Sequence, residues 1–113
     1  MPVRNRLAEM QTEISEWRKD LHRIPELRFE LPKTISKVTS LLTSFGVDEL
    51  HENIGISGVV AVIRGRENSS KKVIGFRADM DALPINEVAD HDHKSLAMGK
   101  MHACGHDGHT SIL

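Results

Sequence analysis

Hydrophobic residues near the start of the chain recur at alternating steps of three and four. The stripe consists of Leu7, Met10, Ile14, Trp17, Leu21 and Ile24. This spacing is typical of one face of an amphipathic helix. Pro25 then ends the pattern, because proline lacks a backbone N–H and its ring clashes with the preceding turn. We predict a helix over residues 4–23 that packs against a sheet. A coiled-coil seam is the alternative, although the stripe is shorter than three or four heptads.

A second helix is predicted from Pro32 to Phe45. Proline suits the first turn of a helix, and Gly46 suits the left-handed position that follows the last one. The apolar positions between these signals are Ile35, Val38, Leu41, Leu42 and Phe45. The two ends and the apolar positions therefore agree on one element.

Three later segments have the composition of β-strands. Residues 47–52 predict a short strand, and residues 58–64 and 72–79 are runs rich in β-branched residues. The near-continuous apolar character of residues 58–64 indicates a strand that is buried on both faces. The polar, glycine-led residues 65–70 predict a hairpin-like turn, and residues 80–100, which lack periodicity, predict a long loop. The expected fold class is α/β, with two helices followed by sheet strands.

Composition and charge limit the classes of partner. The chain has 113 residues, 39% hydrophobic and 27% charged, which suits one soluble domain. A formal net charge of -1 argues against a nucleic acid or membrane partner. We find no signal peptide and no apolar run near the ~20 residues that span a bilayer. The single cysteine, Cys104, excludes an intrachain disulfide, and a cytoplasmic location is expected.

Residues 101–110 combine one thiol, three imidazoles and one carboxylate. The Cys104-x-His106 pair offers two ligands that zinc accepts, although a zinc site needs three or four. Solvated histidines in a loop are an equally weighted interpretation. Asp79 follows a predicted strand, where a sheet delivers side chains to a crevice, and Asp81 shares its side if the strand continues. Alternatively, both carboxylates only end the strand, one of them capping a turn.

In combination, residues 17–27, 75–85 and 101–110 resemble the hippurate hydrolase and N-acyl-amino-acid amidohydrolase group of zinc-peptidase-like metallohydrolases. The three segments occur in the family's order. The resemblance covers nearly the whole chain but only the early part of the family's catalytic domain. Residues 1–113 are therefore expected to be a partial catalytic domain. It lacks the rest of that domain and the inserted lid and dimerisation domain.

The resemblance implies a role for three residues. Cys104 and His106 correspond to metal ligands of a two-metal centre, and Asp79 corresponds to the catalytic-site carboxylate that orients and tunes it. Two divalent ions are implied, with zinc, manganese or cobalt as the candidates. The implied reaction is hydrolysis of the amide bond of small N-acyl amino acids, with the proton shuttled by a glutamate beyond Leu113. A homodimer of the full-length form is also consistent with the family.

The remaining histidines and one aspartate receive weaker interpretations. His22, near the C-terminal end of the first helix, is expected to complement the helix dipole or to lie on the surface, and not to be a ligand. His91 and His93 are expected to be solvated, with adventitious metal binding as the alternative. His102 and His109 are expected to pack or hydrogen-bond around the metal pair. Asp107 either steadies His106 or a neighbouring amide, or is a simple turn carboxylate.

Other functions compete with the amidohydrolase. The chain could be a truncated, inactive product that at most binds a metal weakly. An alternative interpretation is that Cys104 is a nucleophile activated by a neighbouring histidine. A nucleotide-binding module is rejected, because the sequence has no Gly-x-Gly-x-x-Gly loop before a helix.

Overall fold

The computed structural model of the chain describes residues 2–67 and 69–113. The elements in these residues are helix α1 (Pro2–Arg23), helix α2 (Pro32–Phe45), strand β1 (Glu49–Ile54), strand β2 (Gly58–Val62) and helix α3 (His106–Ile112). The predicted α/β class, with two helices before the strands, is confirmed. In this part of the chain, no helix combines the length and the apolar character that crossing a membrane requires.

Both predicted helices form close to their predicted ends. Helix α1 ends at Arg23, two residues before Pro25, and α2 begins at Pro32 and ends at Phe45. Gly46 adopts the left-handed conformation with φ 74°. Its N–H donates to the Thr43 carbonyl at 3.1 Å, which satisfies one of the carbonyls that a helix leaves unpaired.

Helix α1 packs against α3, whereas α2 lies beside both strands. The Trp17 ring also contacts Phe45 of α2, with the ring centroids 5.3 Å apart. The prediction that α1 packs on a sheet is therefore wrong, because α2 takes that place. Only the C-terminal part of the α1 stripe is well covered. Leu21 is 3% exposed, whereas Leu7 is 56% exposed.

The two strands form an antiparallel hairpin. Glu49 pairs with Val62 and His51 with Val60, and the register shifts between His51 and Ile54. The predictions of strands over residues 47–52 and 58–64 are confirmed with small shifts at their ends. The hairpin turns at residues 55–57.

The strand predicted over residues 72–79 does not form. A strand needs a hydrogen-bonded neighbour, and in the described residues none pairs with this segment. Its apolar side chains point to solvent, with Val73 90% and Phe76 78% exposed. Burial on both faces is also wrong for β2, where Val60 is 44% exposed. The hairpin-like turn predicted at residues 65–70 lacks a second strand, and its Asn68 lies outside the described residues.

Backbone hydrogen bonds help to hold the long loop after residue 80 in place. The Ala82 N–H donates to the Glu26 carbonyl at 2.7 Å. Leu83 and Met101 exchange two backbone hydrogen bonds of 2.9 and 3.0 Å. The predicted loop is thus confirmed, and these contacts tie it to the segment between α1 and α2 and to the start of residues 101–110.

A buried glutamate caps α2 from outside the helix. The residue before the helix, Leu31, offers no side-chain cap. The Glu26 carboxylate instead accepts hydrogen bonds from the Thr34 N–H at 2.7 Å, the Thr34 hydroxyl at 2.8 Å and the Lys33 N–H at 3.2 Å. It therefore satisfies two of the N–H groups that the first turn leaves unpaired.

We expect Glu26→Ala to destabilise the chain by about 1–3 kcal/mol, because it leaves buried donors without a partner. Urea unfolding followed by circular dichroism measures this change. Glu30→Ala is the matched control, because Glu30 is exposed and lies outside the cap. Equal losses in the two variants would contradict the capping role.

Candidate metal centre

The two predicted metal ligands flank a sharp turn at the start of α3. Gly105 has φ 101°, a conformation that side-chain-bearing residues rarely adopt, and α3 begins with His106. The Cys104 thiol is exposed, and the His106 side chain is 25% exposed. Both groups are therefore accessible from solvent and lie two residues apart on one turn.

His106 is oriented by Asp81. Its Nδ1 lies 3.0 Å from an Asp81 carboxylate oxygen and 2.9 Å from the Asp81 carbonyl oxygen. An Nδ1–H that donates to these oxygens leaves Nε2 with the lone pair that binds a metal. A carboxylate behind a histidine is the usual support of a metal-binding imidazole.

Asp79 lies in the same region, but its carboxylate has another partner. That carboxylate pairs with the Arg77 guanidinium at 2.6 Å and is 47% exposed. The backbone carbonyl of Asp79 accepts a hydrogen bond from the Thr110 hydroxyl at 2.9 Å, which joins this segment to α3. The tuning role of Asp79 stays a prediction. Sequence reasoning gave Asp81 no separate role, although it is the next acidic residue after Asp79.

The thiol and the imidazole fit part of a metal centre. Thiolate and imidazole are a donor set that zinc and cobalt accept. In residues 2–67 and 69–113, however, neither Cys104 nor His106 belongs to a group of three ligating side chains. Two ligands cannot hold two cations, which repel each other and need further anionic ligands. The Cys104 and His106 pair therefore fits part of a metal centre and does not by itself make a dinuclear one.

A buried carboxylate beside the predicted ligands joins α3 to α1. Asp107 is 2% exposed, and its Oδ2 lies 2.7 Å from His22 Nδ1 and 2.9 Å from Arg18 Nε. Its Oδ1 accepts the Gly108 N–H at 2.9 Å, so the expectation that Asp107 steadies a neighbouring amide is confirmed. His22 is also only 2% exposed. The prediction of a surface histidine is wrong, because α3 and the loop cover this side of α1.

Glu87 extends this network into the long loop. The oxygen Oε1 lies 3.0 Å from His22 Nε2 and 2.8 Å from His91 Nε2, and Oε2 accepts the Ser95 N–H at 2.6 Å. The His91 ring stacks on His93 with centroids 3.9 Å apart. Both rings are half-buried, so they keep part of their contact with solvent, and His91 also contacts a buried carboxylate. No local sequence signal joins residues 22, 87 and 91, because the contacts arise only in the fold.

The two histidines that flank the predicted pair have different surroundings. His102 is buried at 4% exposure, and neither ring nitrogen has a hydrogen-bond partner among the described residues. Burial lowers the pKa of His102, with neighbouring His22 and His106 acting in the same direction and Asp107 opposing them. His109 is exposed, and its ring centroid lies 6.1 Å from that of His106.

The Glu87 carboxylate gives the chain an acid-sensitive contact. Burial by itself would raise its pKa, but the Ser95 N–H and the His22 ring outweigh burial and lower the pKa from 4.5 to about 2. A lowered pKa in the folded state stabilises the fold above pH 4.5, and this contribution is lost as the pH falls towards 2.

We therefore expect the stability advantage of the original chain over Glu87→Gln to shrink as the pH falls from 4.5 towards 2. Urea unfolding at a series of pH values, with a chelator present, measures it. The same series on Glu52→Gln, an exposed residue, is the control. A difference between the Glu87 variant and the original chain that does not change with pH would contradict the assignment.

Several known proteins are similar to this chain in sequence. The family model for peptidase family M20/M25/M40 matches residues 75–113. The hippurate hydrolase of Campylobacter jejuni is 46% identical over 95% of this chain and 27% of that protein. The N-acyl-L-amino acid amidohydrolase of Geobacillus stearothermophilus is 42% identical over 98% of this chain and 29% of that protein.

A solved structure gives the same result in three dimensions. The YXEP protein of Bacillus subtilis, described as a dinuclear metal binding peptidase from the M20 family, matches with a TM-score of 0.83 and 40% identity. The match covers 92% of this chain and 28% of that protein. The chain thus spans less than a third of the length of these relatives. The resemblance inferred from the three sequence segments is confirmed, and the chain belongs to peptidase family M20/M25/M40.

Proposed function

We propose that this chain is the N-terminal part of a metal-dependent amidohydrolase that cleaves N-acyl amino acids of the hippurate type. The observation that carries the proposal is the pairing of His106 with Asp81. His106 follows the exposed Cys104 thiol by two residues, with the glycine turn between them. Relatives named for hippurate and N-acyl-L-amino acid hydrolysis support this substrate class. We also propose a cytoplasmic location.

In the proposed enzyme, Cys104 and His106 hold metal ions at the start of α3. Divalent ions bound there would polarise an amide carbonyl and activate water. The Asp81 carboxylate holds the imidazole through Nδ1, which leaves Nε2 free to bind an ion, and Gly105 allows the turn between the two ligands. The other metal ligands and the glutamate that moves the proton would come from the remainder of the enzyme.

A second candidate is a truncated product without catalysis that binds a metal weakly. Among the described residues, no third ligating side chain joins Cys104 or His106 in a group, which is consistent with weak metal binding. The apolar side chains of Val73, Ile74 and Phe76 also lie exposed, which favours association with other surfaces. The two candidates differ in whether a longer product completes the site.

We expect the protein purified from its native cells to hydrolyse hippurate and to lose this activity in a chelator. Release of glycine and benzoate measures the reaction, and added zinc, manganese or cobalt should restore it. Cys104→Ala should lower kcat/KM by more than about tenfold, because it removes a proposed ligand. Activity that persists in chelator and in Cys104→Ala would contradict the proposal, and a 12.6 kDa inactive product would establish the second candidate.

We expect Asp81→Asn to weaken metal binding by about 10–100-fold, because the amide supports the His106 imidazole less well than a carboxylate. Asp79→Asn is the matched comparison, two residues away. Titration of the chain with cobalt, followed by the thiolate-to-cobalt charge-transfer absorption, measures both. A larger loss in Asp79→Asn would assign the tuning role to Asp79, as the family resemblance implied.

A further inference from the structure

Two imidazoles and one carboxylate form a cluster that includes neither Cys104 nor His106. They are His22 of α1 and Glu87 and His91 of the long loop. One nitrogen or oxygen from each lies within 4.8 Å of the others. Two histidines and one glutamate form a donor set that zinc uses in proteins, with a water in the fourth position.

The spacing of these atoms is close to that of a metal site. Glu87 Oε1 lies 3.0 Å from His22 Nε2 and 2.8 Å from His91 Nε2. Ligands about 2.0–2.1 Å from a tetrahedral ion lie roughly 3.3 Å apart, so the two contacts to Glu87 need to lengthen by only about half an ångström to admit the ion. The ligating nitrogens of His22 and His91 lie within 4.8 Å of each other. The ion would replace the proton on Nε2 of each histidine, and these protons would go to solvent.

The surroundings of His22 also suit a metal ligand. Its other ring nitrogen, Nδ1, lies 2.7 Å from the Asp107 carboxylate, and both side chains are 2% exposed. A ligating histidine typically donates its second N–H to a carboxylate in this way. Arg18 Nε contacts the same Asp107 oxygen at 2.9 Å and offsets part of its charge.

The cluster is both anchored and accessible. The second Glu87 oxygen accepts the Ser95 N–H at 2.6 Å, which fixes the carboxylate while Oε1 faces the two imidazoles. The His91 side chain is 28% exposed, so an ion and its water can enter from that side. His91 Nδ1 is buried and has no hydrogen-bond partner among the described residues, so its Nε2 contact is the one that orients the ring.

We propose that His22, Glu87 and His91 bind one divalent cation of the zinc type, at a site separate from the Cys104 and His106 pair. The site draws its ligands from α1 and the long loop, and Asp107 supports it from α3. A bound ion would therefore link these three segments. This proposal does not depend on the amidohydrolase activity.

The test uses the 113-residue chain with Cys104→Ala and His106→Ala, which removes the other pair. We expect this variant to bind one equivalent of zinc by calorimetry. With cobalt, it should show visible absorption but no thiolate charge-transfer band. Adding His91→Ala should weaken zinc binding by about tenfold or more, because one of three protein ligands is lost. His51→Ala, which removes an exposed histidine of β1, should leave the affinity unchanged.

Glu87→Gln in the same background is the second ligand variant, and circular dichroism checks that each variant folds. Binding that is absent from the Cys104 and His106 double variant, or that survives both His91→Ala and Glu87→Gln, would overturn the proposal. His91 is the most informative position for this test. Because its side chain is partly exposed, replacing it with alanine disturbs the fold less than replacing the buried His22. Loss of hippurate hydrolysis plays no part in this result, so the two proposals fail separately.

Discussion

The buried Asp107 carboxylate is the contact on which the described structure depends most. It accepts from His22 and Arg18 of α1 and thereby fixes α3, whose first residue is His106. A buried carboxylate without these partners would carry a large desolvation cost, so α1 and α3 stabilise each other only when docked. The aliphatic interior is small, with Leu21, Leu31 and Ala82 as the buried hydrophobic residues of the described chain. Polar contacts therefore position the candidate metal centre.

Local signals were sufficient for the two long helices and for the two strands, but they indicated a hairpin turn at residues 65–70, whereas the strands turn at residues 55–57. Pro25 and Pro32 limit the helices through the backbone of adjacent residues, and Gly46 adopts the left-handed conformation without strain. These signals therefore need no tertiary partner. Residues 72–79 show the opposite case, because β-branched composition indicates a strand only where another strand pairs with it. The packing side of α1 was also not predictable, because the stripe shows which residues are apolar but not which element covers them.

The candidate metal centre also contains contacts that could be predicted from the sequence and contacts that could not. Cys104 and His106 lie two residues apart, so their pairing could be inferred from the sequence and from the family resemblance. The His22, Glu87 and His91 cluster could not, because residues 22 and 87 meet only after the loop folds back on α1. The contact of His106 with Asp81, and not with Asp79, also depends on the path of the backbone. Residues 79–81 do not form a strand, so the alternation of a regular strand does not apply to them.

The separation of 85 residues between His22 and Asp107 also sets an order of events during folding. The β1–β2 hairpin closes across residues 55–57, so little chain entropy is lost before its contacts form. The contact between α1 and α3 closes most of the polypeptide into one loop, which is slower because distant segments must first meet. We therefore expect the turn that carries Cys104 and His106 to become organised after the hairpin.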